Sequence, residues 1–460
     1  MIDRTDAGYA LECLAKRQKQ FAVYANYFNG RQDLFFSTDA WQSAFGAMFK
    51  RLAYNRCRAV VDAYANRLIV TGFETPGIEE GATDVLGAKA QVVWERNRMP
   101  KRQGELLTES LRAGDAYVIV WPGDDGLARL DINRGHLIEP VYDDEYPERL
   151  RYAVKCWRTH HGEYKGKWRV NVYDAEVITR WITSAASDDF PKEFKGLVPF
   201  DDGDGAEIEN PYGVVPVFHF GNNADTGQCG VSELVDVIPL QDGLNKSVAD
   251  MLIAGEYVAF PQRWVTGVAP TTNPFTNEEE EQFKAAVDRV WAVMEPEARF
   301  GQFDPANMTQ YTEGQDAWDL KISRVSMVPV HWLSMTGDFP SGEALKTAEG
   351  PFTAKVKDRQ VGFGDTFGDV MAFALQVEGE AAGIMLDPIW TPAETRSDRE
   401  TWELAMLKKS AGVPDFQVWK EAGYSDDEIK EFTAAKEAER KRQMEQFATS
   451  FDRGQVPIGG

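Results

Sequence analysis

The chain is poor in the residues that build disulfide frameworks and metal centres. It has four cysteines and five histidines in 460 residues. The cysteines lie far apart and show no CxxC or cysteine–histidine ligand spacing, so we expect reduced, idle thiols in an intracellular compartment. No two histidines stand four residues apart with a glutamate between them, and no Gly-x-Ser-x-Gly motif occurs. The sequence therefore predicts neither a metal site nor a nucleophilic active site, and we expect no cofactor.

Long apolar runs are also missing. No run approaches the length that spans a bilayer, so we expect no membrane partner. The first residues, Met1-Ile2-Asp3-Arg4-Thr5-Asp6, lack the basic and apolar regions of a signal peptide. We therefore expect the protein to be made and folded in the cytoplasm.

A positive charge balance is absent as well. Acidic residues outnumber basic ones by 73 to 50, which gives a net charge of −23. Tight binding to nucleic acid needs clustered lysine and arginine that displace counterions from phosphates. The composition thus argues against a basic clamp and suits a surface past which DNA slides. At 460 residues, the chain is long enough for about three folded domains, and its 43% of hydrophobic residues is typical of a globular protein.

Three short segments imitate known motifs without completing them. Residues 362–368 contain glycines but follow no strand, so close helix packing explains them better than a dinucleotide site. Residues 162–168 are one residue short of a P-loop and end in Trp168, which favours a hairpin turn. Residues 201–205 lack the third acid of a calcium loop, and Gly213 stands where the closing glutamate belongs.

Apolar periodicity predicts an α+β chain. The predicted helices cover about 9–28, 49–68, 85–98, 106–114, 232–259 with Ser232 as N-cap, 314–328, 341–378, 396–410, 415–422 and 426–447. The predicted strands cover 116–121, 151–159, 168–173, 176–183 and 214–220, with an acidic loop at 187–210. A small α/β insert at 264–304 is predicted to contain a strand at Trp264, a helix from Asn277 and a strand at 290–294.

The most informative stretch is a proline-broken, largely apolar segment at 329–340 followed by a long helix. The helix keeps one apolar face in steps of three, four and seven. Its members are Leu345, Ala348, Phe352, Val356, Phe363, Phe367, Met371, Ala374 and Leu375. Gly350-Pro351 lies inside this pattern and predicts a kink, because the apolar face resumes beyond it. This arrangement is typical of a moving part and unlike a catalytic pocket.

The order of these parts resembles the portal proteins of tailed bacteriophages, of the type found in long-tailed phages of Gram-positive hosts. The resemblance covers nearly the whole chain and depends on six stretches in the expected order. They are Tyr24–Gly30, Asn55–Asp62, Gly213–Phe220, Ser232–Leu234 with Pro239–Lys246, Pro261–Trp264 and Ser341–Lys346.

The resemblance implies a structural, non-catalytic protein of the virion. Portal proteins form homododecameric rings at one capsid vertex, assembled in the host cytoplasm, and double-stranded DNA passes through the ring without sequence recognition. Implied partners are further copies of the chain, the terminase, the major capsid or scaffold protein and the head–tail adaptor.

The same resemblance assigns parts to the sequence. It implies a wing at 1–231, stem helices at 232–259 and 305–328, a clip at 260–304, a tunnel loop at 329–340, a kinked helix at 341–378 and a crown at 379–460. Tunnel-loop residues facing the DNA would be His331, Trp332, Leu333, Met335, Asp338 and Phe339. Gly350 and Pro351 would form the hinge, and Arg263 and Trp264 would belong to the clip surface that meets partners.

Two other functions remain open from the residues alone. The first is a cytoplasmic metal- or nucleotide-dependent enzyme with its site in the α/β wing near Asp201–Asp204, which a ligand-induced rise in melting temperature would reveal. The second is a head–tail adaptor or scaffold component that also forms rings. The long hinged helix and the large wing argue against the smaller adaptors.

Overall fold

The computed structural model describes most of the chain, with gaps. The described residues are 4–32, 54–77, 83–203, 205–259, 263–266, 271–272, 279–280, 297, 299–302, 308–334, 341–394, 398–422, 424 and 426–452. The chain divides into two compact units, 1–393 and 394–460. None of the described helices has the length and apolar composition that a membrane span requires.

Helices and strands are interleaved along the described part of the chain up to the strand Asp387–Trp390, and only helices follow it. The helices are α1 (Arg4–Phe28), α2 (Arg56–Ala65), α3 (Val85–Arg96), α4 (Met99–Ala113), α5 (Ile238–Ala259), α6 (Thr309–Ser326), α7 (Val330–Leu333), α8 (Gly342–Ala348), α9 (Gly350–Val377), α10 (Asp398–Ser410), α11 (Asp415–Glu421) and α12 (Asp426–Asp452).

The strands are β1 (Val70–Glu74), β2 (Asp115–Pro122), β3 (Ala128–Arg134), β4 (Ile138–Tyr142), β5 (Leu150–Arg158), β6 (Trp168–Tyr173), β7 (Val177–Thr183), β8 (Leu197–Pro199), β9 (Glu207–Glu209), β10 (Val217–Gly221), β11 (Arg263–Thr266), β12 (Thr271–Thr272), β13 (Glu279–Glu280), β14 (Arg299–Gln302) and β15 (Asp387–Trp390).

All described strand pairs are antiparallel, which confirms a mixed α+β fold. A six-stranded sheet has the order β4-β5-β6-β7-β8, with β9 also paired to β7. A three-stranded sheet has the order β10-β2-β3, and β1 pairs with β15. Hairpin pairing of this kind leaves one face of each sheet to be covered by another element.

Helix α9 lies at the centre of the largest hydrophobic core. Its side chains at Phe352, Val356, Phe363, Phe367 and Met371 are buried, as the apolar periodicity predicted. The same core takes residues from α2, α3, α4, β2 and β10. A second core joins α1 to one face of the six-stranded sheet, and a third joins the opposite face to β2 and β10.

Three helix boundaries differ from the sequence prediction for one physical reason. Helix α5 begins at Ile238 and not at Ser232, whose hydroxyl instead accepts from the amide of Leu234. Pro239 would lie inside a helix that started at Ser232, where its ring removes a donor and clashes with the preceding turn. In the observed helix it occupies the first turn, which tolerates proline.

The same rule sets the starts of α4 and α9. Pro100 and Pro351 both lie in the first turn of their helices. The predicted single kinked helix at 341–378 is therefore two helices, α8 and α9, that meet at Glu349. Helix α2 likewise begins at Arg56, with the Asn55 side chain accepting from the Arg58 amide as N-cap. Residues 49–53 of the predicted helix at 49–68 lie outside the described residues.

Several predicted loops and helices are strands instead. The acidic stretch at 187–210 contains β8 and β9, which are too short to show periodicity. Residues 279–280, predicted as part of a helix from Asn277, pair with β12. The strand at Trp264 is confirmed as β11, which pairs with β14; residues 290–294 lie outside the described residues. Strand β15 belongs to the first unit, since it pairs with β1.

The second unit is helical. Its three helices follow the predicted segments closely, and residues 431–445 of α12 are exposed throughout, as an exposed charged helix predicts. Aromatic contacts hold the unit together: Tyr424 and Trp419 both pack edge-on against Phe432, at ring-centre distances of 5.1 and 5.7 Å.

The glycines at 362–368 are confirmed as helical, and two of them permit close packing. A Cβ on Gly368 would overlap the backbone carbonyl oxygen of Leu386, whereas one on Gly364 would only touch the Pro388 ring at 3.5 Å. Gly362 has nothing within 4 Å. Only Gly368 is therefore required by its surroundings.

We expect Gly368→Ala to destabilise the protein by about 1–3 kcal/mol, the usual cost of overpacking against backbone that cannot move away. Gly362→Ala, on the same helix but facing open space, should instead raise stability by about 0.5–1 kcal/mol through helix propensity. Urea unfolding followed by circular dichroism measures both. Equal shifts for the two variants would contradict the packing explanation.

Candidate functional site

The described part of the 329–340 segment is a short helix that packs against the start of α9. Trp332 is 36% exposed, and its ring meets Phe352 edge-on at 5.0 Å. The Arg67 guanidinium lies 5.6 Å from the same ring, within cation–π range. Leu333 is buried. The Trp332 ring is thus in contact with Phe352 and Arg67 and remains partly exposed to solvent.

Polar contacts fix both ends of this short helix. His331 Nε2 lies 3.4 Å from Glu349 Oε1, at the junction of α8 and α9. The Ser334 hydroxyl donates to Asp316 Oδ1 on α6 at 3.0 Å. Three of the predicted tunnel-loop residues, Met335, Asp338 and Phe339, lie outside the described residues.

Helices α5 and α6 form a close antiparallel pair. Gly243 lies under the Trp318 ring, where a Cβ would come within 2.7 Å, and further along the pair Gln315 Nε2 donates to Met251 Sδ at 3.2 Å. At the far end Gly255 faces Met308. Residues later in α5 therefore contact residues earlier in α6, so the two helices run in opposite directions.

A buried ion pair attaches this helix pair to α2. Arg56 makes two parallel hydrogen bonds to Asp319, Nε to Oδ1 at 2.8 Å and Nη2 to Oδ2 at 2.7 Å. The carboxylate side chain is only 3% exposed. The Arg56 amide also donates to Gln241 Oε1 at 2.7 Å, so one residue contacts both helices. Two-point contacts of this kind fix orientation as well as distance.

A second buried carboxylate joins the start of this region to α9. Glu233 accepts from Lys355 Nζ at 2.6 Å and from Arg359 Nη2 at 3.0 Å. Burial alone would raise the pKa of Glu233, but the attraction of Lys355 and Arg359 outweighs it and the pKa lies below its ordinary value. Glu233 is therefore a fixed negative charge that ties the segment before α5 to the first turns of α9.

A further polar cluster lies in the α/β part and includes an acid, a histidine and a tyrosine. Asp115 Oδ1 lies 2.7 Å from His219 Nε2, and His219 Nδ1 lies 2.6 Å from the Tyr142 hydroxyl. Asp115 also accepts from the Gly230 amide at 2.6 Å and from Arg17. Because the acid is fully buried and meets all of these groups inside the chain, the cluster ties α1, β2, β4 and β10 together.

Glu139 is the unusual member of this cluster. It accepts from Arg17 Nη1 at 3.0 Å, yet burial raises its pKa to about 7. Arg17 divides its charge between Glu139 and the ionised Asp115, so it compensates only part of the cost of burying Glu139. Its carboxyl group therefore changes protonation near neutral pH.

The remaining predicted site residues lie in two separate places. Arg263 and Trp264 lie on β11, opposite Gln302 and Gly301 of β14. Gly350 and Pro351 are exposed at the start of α9.

The carboxylates of the enzyme hypothesis are engaged within the chain. Asp201 Oδ1 accepts from the amides of Gly203 and Gly205, at 2.8 and 3.0 Å, and Asp202 pairs with Arg180. Within the described ranges, no group of three or more His, Cys, Asp and Glu side chains is arranged to hold a metal.

Sequence reasoning missed the Arg56–Asp319 pair and the Glu233 cluster. The partners of the Arg56–Asp319 pair lie 263 positions apart, and those of Glu233 and Lys355 lie 122 apart. No local spacing signals such a pair. Asp319 lies on the buried side of α6, whereas Glu313 on the same helix is exposed and Asp316 is half-buried.

The sequence matches a known protein family over most of its length. Residues 13–445 match the family model described as phage portal protein, SPP1 Gp6-like. This match spans nearly the whole sequence, so the chain belongs to the SPP1 Gp6-like family of phage portal proteins.

Individual relatives agree. The portal protein of Mycobacterium phage D29 is 24% identical over 413 residues, covering 86% of this chain and 81% of the relative. That of Mycobacterium phage L5 is 24% identical over 327 residues, covering 70% and 64%.

The likeness to solved structures is loose. A chain from the virion of a native gene transfer agent particle aligns with TM-score 0.43 and 13% identity over 85% of this chain and 94% of that one. A chain from the neck of the native particle, computed with C12 symmetry, gives 0.43 and 14% over 90% and 97%.

We expect Asp319→Ala to destabilise the first unit by about 3–5 kcal/mol, because it leaves the Arg56 charge without its carboxylate in a largely buried place. Asp250→Ala removes the partner of Lys246 in an exposed pair on α5 and should change stability by less than about 1 kcal/mol. Urea unfolding of both variants tests this; similar shifts would mean that the buried pair contributes no more than an exposed one.

Glu139 predicts a dependence of stability on pH. Its pKa is about 7 in the folded chain against an ordinary 4.5, so folding takes up a proton between these values. The contribution is complete below about pH 4.5 and is lost as pH rises toward 7, amounting to about 3 kcal/mol. Glu139→Gln keeps the uncharged form. The difference in unfolding free energy between wild type and this variant should therefore change between pH 5 and 8; a constant difference would contradict the assignment.

Proposed function

We propose that this chain is the subunit of a homododecameric portal ring at one capsid vertex, through which double-stranded DNA is packaged and ejected. The observation that carries the proposal is the family match over residues 13–445. Closed rings of identical subunits need one surface to bind a different surface of the next copy. The ring belongs to the virion and assembles in the host cytoplasm.

Residues 232–259 and 305–328, which contain the antiparallel pair α5–α6, are proposed as the stem. Its close packing at Gly243 and its ionic attachment through Arg56 make it a stiff rod. Residues 260–304 are proposed as the clip, with Arg263 and Trp264 on the surface that binds the terminase and later the head–tail adaptor. Residues 1–231 are proposed as the wing and residues 379–460 as the crown. The major capsid or scaffold protein is proposed as a further partner.

Residues 329–340 are proposed as the tunnel loop, with His331, Trp332, Leu333, Met335, Asp338 and Phe339 nearest to the DNA. The exposed side of Trp332 supports this for the described half. Contact with DNA is steric and independent of sequence, because acidic residues exceed basic ones by 73 to 50 and attraction per phosphate is weak.

Gly350 and Pro351 are proposed as the hinge. Helix α8 has no buried residues, while α9 is anchored by its apolar face and by Glu233. A bend at their junction therefore moves α8 while α9 keeps its place in the core. The contact between His331 and Glu349 lies at this same junction.

The two alternatives receive less support. An enzyme with a site near Asp201–Asp204 finds no support in Asp201 and Asp202, which are engaged within the chain. A head–tail adaptor or scaffold component does not explain a portal-family match over nearly the full length. We propose no catalytic role.

Electron microscopy of the purified chain, and of assembled capsids, tests the proposal. We expect rings with a central channel and about twelvefold symmetry, with α5–α6 around the channel and 329–340 at its narrowest point. The angle between α8 and α9 should differ between empty and DNA-filled particles. Capsid vertices without a ring of this chain would sink the proposal, and an unchanged angle would remove the hinge alone.

A further inference from the structure

The six-stranded sheet has one face that is only partly covered. One face packs on α1 through Tyr152, Val154 and Val172. The opposite face packs on β2 and β10 through Ala153, Tyr173 and Ile178. Beyond these three residues, the second face continues along β5, β6 and β7 with polar and positively charged residues.

Three cations stand side by side on this continuation. Lys155 on β5 is opposite Asn171 on β6, which is opposite Arg180 on β7. Directly opposed residues of antiparallel strands share a face. Arg169, two positions before Asn171 on β6, lies on that face as well. The strand register therefore gathers Lys155, Arg169 and Arg180 within one patch, which we call the cation patch.

Aromatic rings hold these cations in place. The Arg169 guanidinium lies 3.7 Å from the Phe200 ring centre and 5.1 Å from that of Trp157. Lys155 Nζ lies 5.0 Å from the Trp157 ring, and the Arg180 guanidinium lies 5.4 Å from that of Phe200. Contacts with ring faces leave the N–H groups of an arginine free to bind oxygen in the guanidinium plane.

Two of the three cations have no ion-pair partner among the described residues. Arg180 pairs with Asp202, but no carboxylate among the described residues lies within ion-pair distance of Lys155 or Arg169. Arg169 Nε is buried without a hydrogen-bond partner. Burial, followed by repulsion from Arg180, lowers the pKa of Arg169; burial, which outweighs attraction by Asp131, lowers that of Lys155.

Such an arrangement is unfavourable in an isolated chain. Lys155 and Arg169 lose hydration on burial, and Arg169 is also repelled by Arg180. The chain has 73 acidic residues, yet none of the described ones forms an ion pair with Lys155 or Arg169. An oxyanion that enters the patch would supply the missing acceptors.

We propose that Lys155, Arg169 and Arg180 form an anion-binding site that receives a carboxylate from an acidic segment of a second copy of this chain. The inference rests on the proposed ring, in which copies meet. Each copy has a net charge of −23, so neighbouring copies repel unless opposite charges are paired locally where they touch. A half-buried cation patch opposite an exposed acidic segment provides that pairing.

The charges around the patch favour a carboxylate over nucleic acid. Asp202 is paired to Arg180 and Asp131 lies near Lys155, so carboxylates flank the patch and would repel a polyanion. A single side chain presents one carboxylate to Lys155 and Arg169, whereas a nucleic-acid strand would bring a row of phosphates past Asp202 and Asp131. The chain offers such groups in the turn between β4 and β5, where Asp144, Glu145 and Glu148 are exposed.

Sedimentation velocity of the full chain over a series of salt concentrations tests the inference. We expect Arg169→Gln and Lys155→Gln each to weaken self-association about tenfold, equivalent to about 1.4 kcal/mol, at low salt and to match wild type at high salt, where charge pairing is screened. Lys165→Gln makes the same charge change in an exposed turn beside the patch and should associate like wild type. Circular dichroism in urea establishes that all three variants are folded.

Each outcome decides the question. Unchanged association of both patch variants overturns the inference and leaves the ring proposal intact. A wild-type chain that stays monomeric at every salt concentration also overturns it, while the ring proposal fails only if capsid vertices lack a ring of this chain. A rise in melting temperature with duplex DNA in wild type but not in Arg169→Gln overturns the carboxylate assignment and favours phosphate.

Discussion

The apolar face of α9 is the constraint on which the rest of the first unit depends. Phe367 alone contacts three elements edge-on: Trp94 of α3, Phe220 of β10 and Trp390 of β15, with ring-centre distances of 5.4, 4.7 and 5.9 Å. Burying an aromatic side chain contributes about 1.5–3 kcal/mol, and well-oriented ring pairs add to this. Elements that are distant in sequence therefore pack on one side chain, and the position of α9 sets the positions of the three-stranded sheet and of the β1–β15 pair.

Apolar contact is not directional, so it does not by itself fix where α9 sits along its axis. The ionic contacts at the first turns of α9 fix its position along the axis. Glu233 holds Lys355 and Arg359, while the Phe352 ring lies between Tyr64 and Trp332. A buried ion pair adds little net stability compared with apolar packing, but it is costly to break. We infer that these pairs define register and orientation, which matters for a helix whose start leads to the proposed moving segment.

Elements with a strong period were predictable from the sequence, and those defined by pairing or by proline were not. The buried face of α9 and the strands β5, β6 and β7 repeat their pattern over many residues, so local sequence specifies them. The start of α5 required weighing the N-cap preference of Ser232 against the position of Pro239, and proline prevails because its steric conflict inside a helix exceeds the gain from a cap. Strands β8 and β9 exist because β7 offers them hydrogen bonds, which no local pattern records.

The candidate site was predictable as a segment but not as a set of contacts. Apolar composition and prolines singled out residues 329–340, yet what holds the described half is Asp316, Phe352, Arg67 and Glu349, each brought there by the fold. The arginines illustrate the same point for charge. Arg17, Arg56 and Arg359 are engaged with internal carboxylates, so they contribute little to the outer surface. Each of these pairs also removes a carboxylate, so the net charge of −23 remains on the rest of the chain. In the proposed ring, a surface of that sign would repel phosphates and favour passage of DNA over its retention.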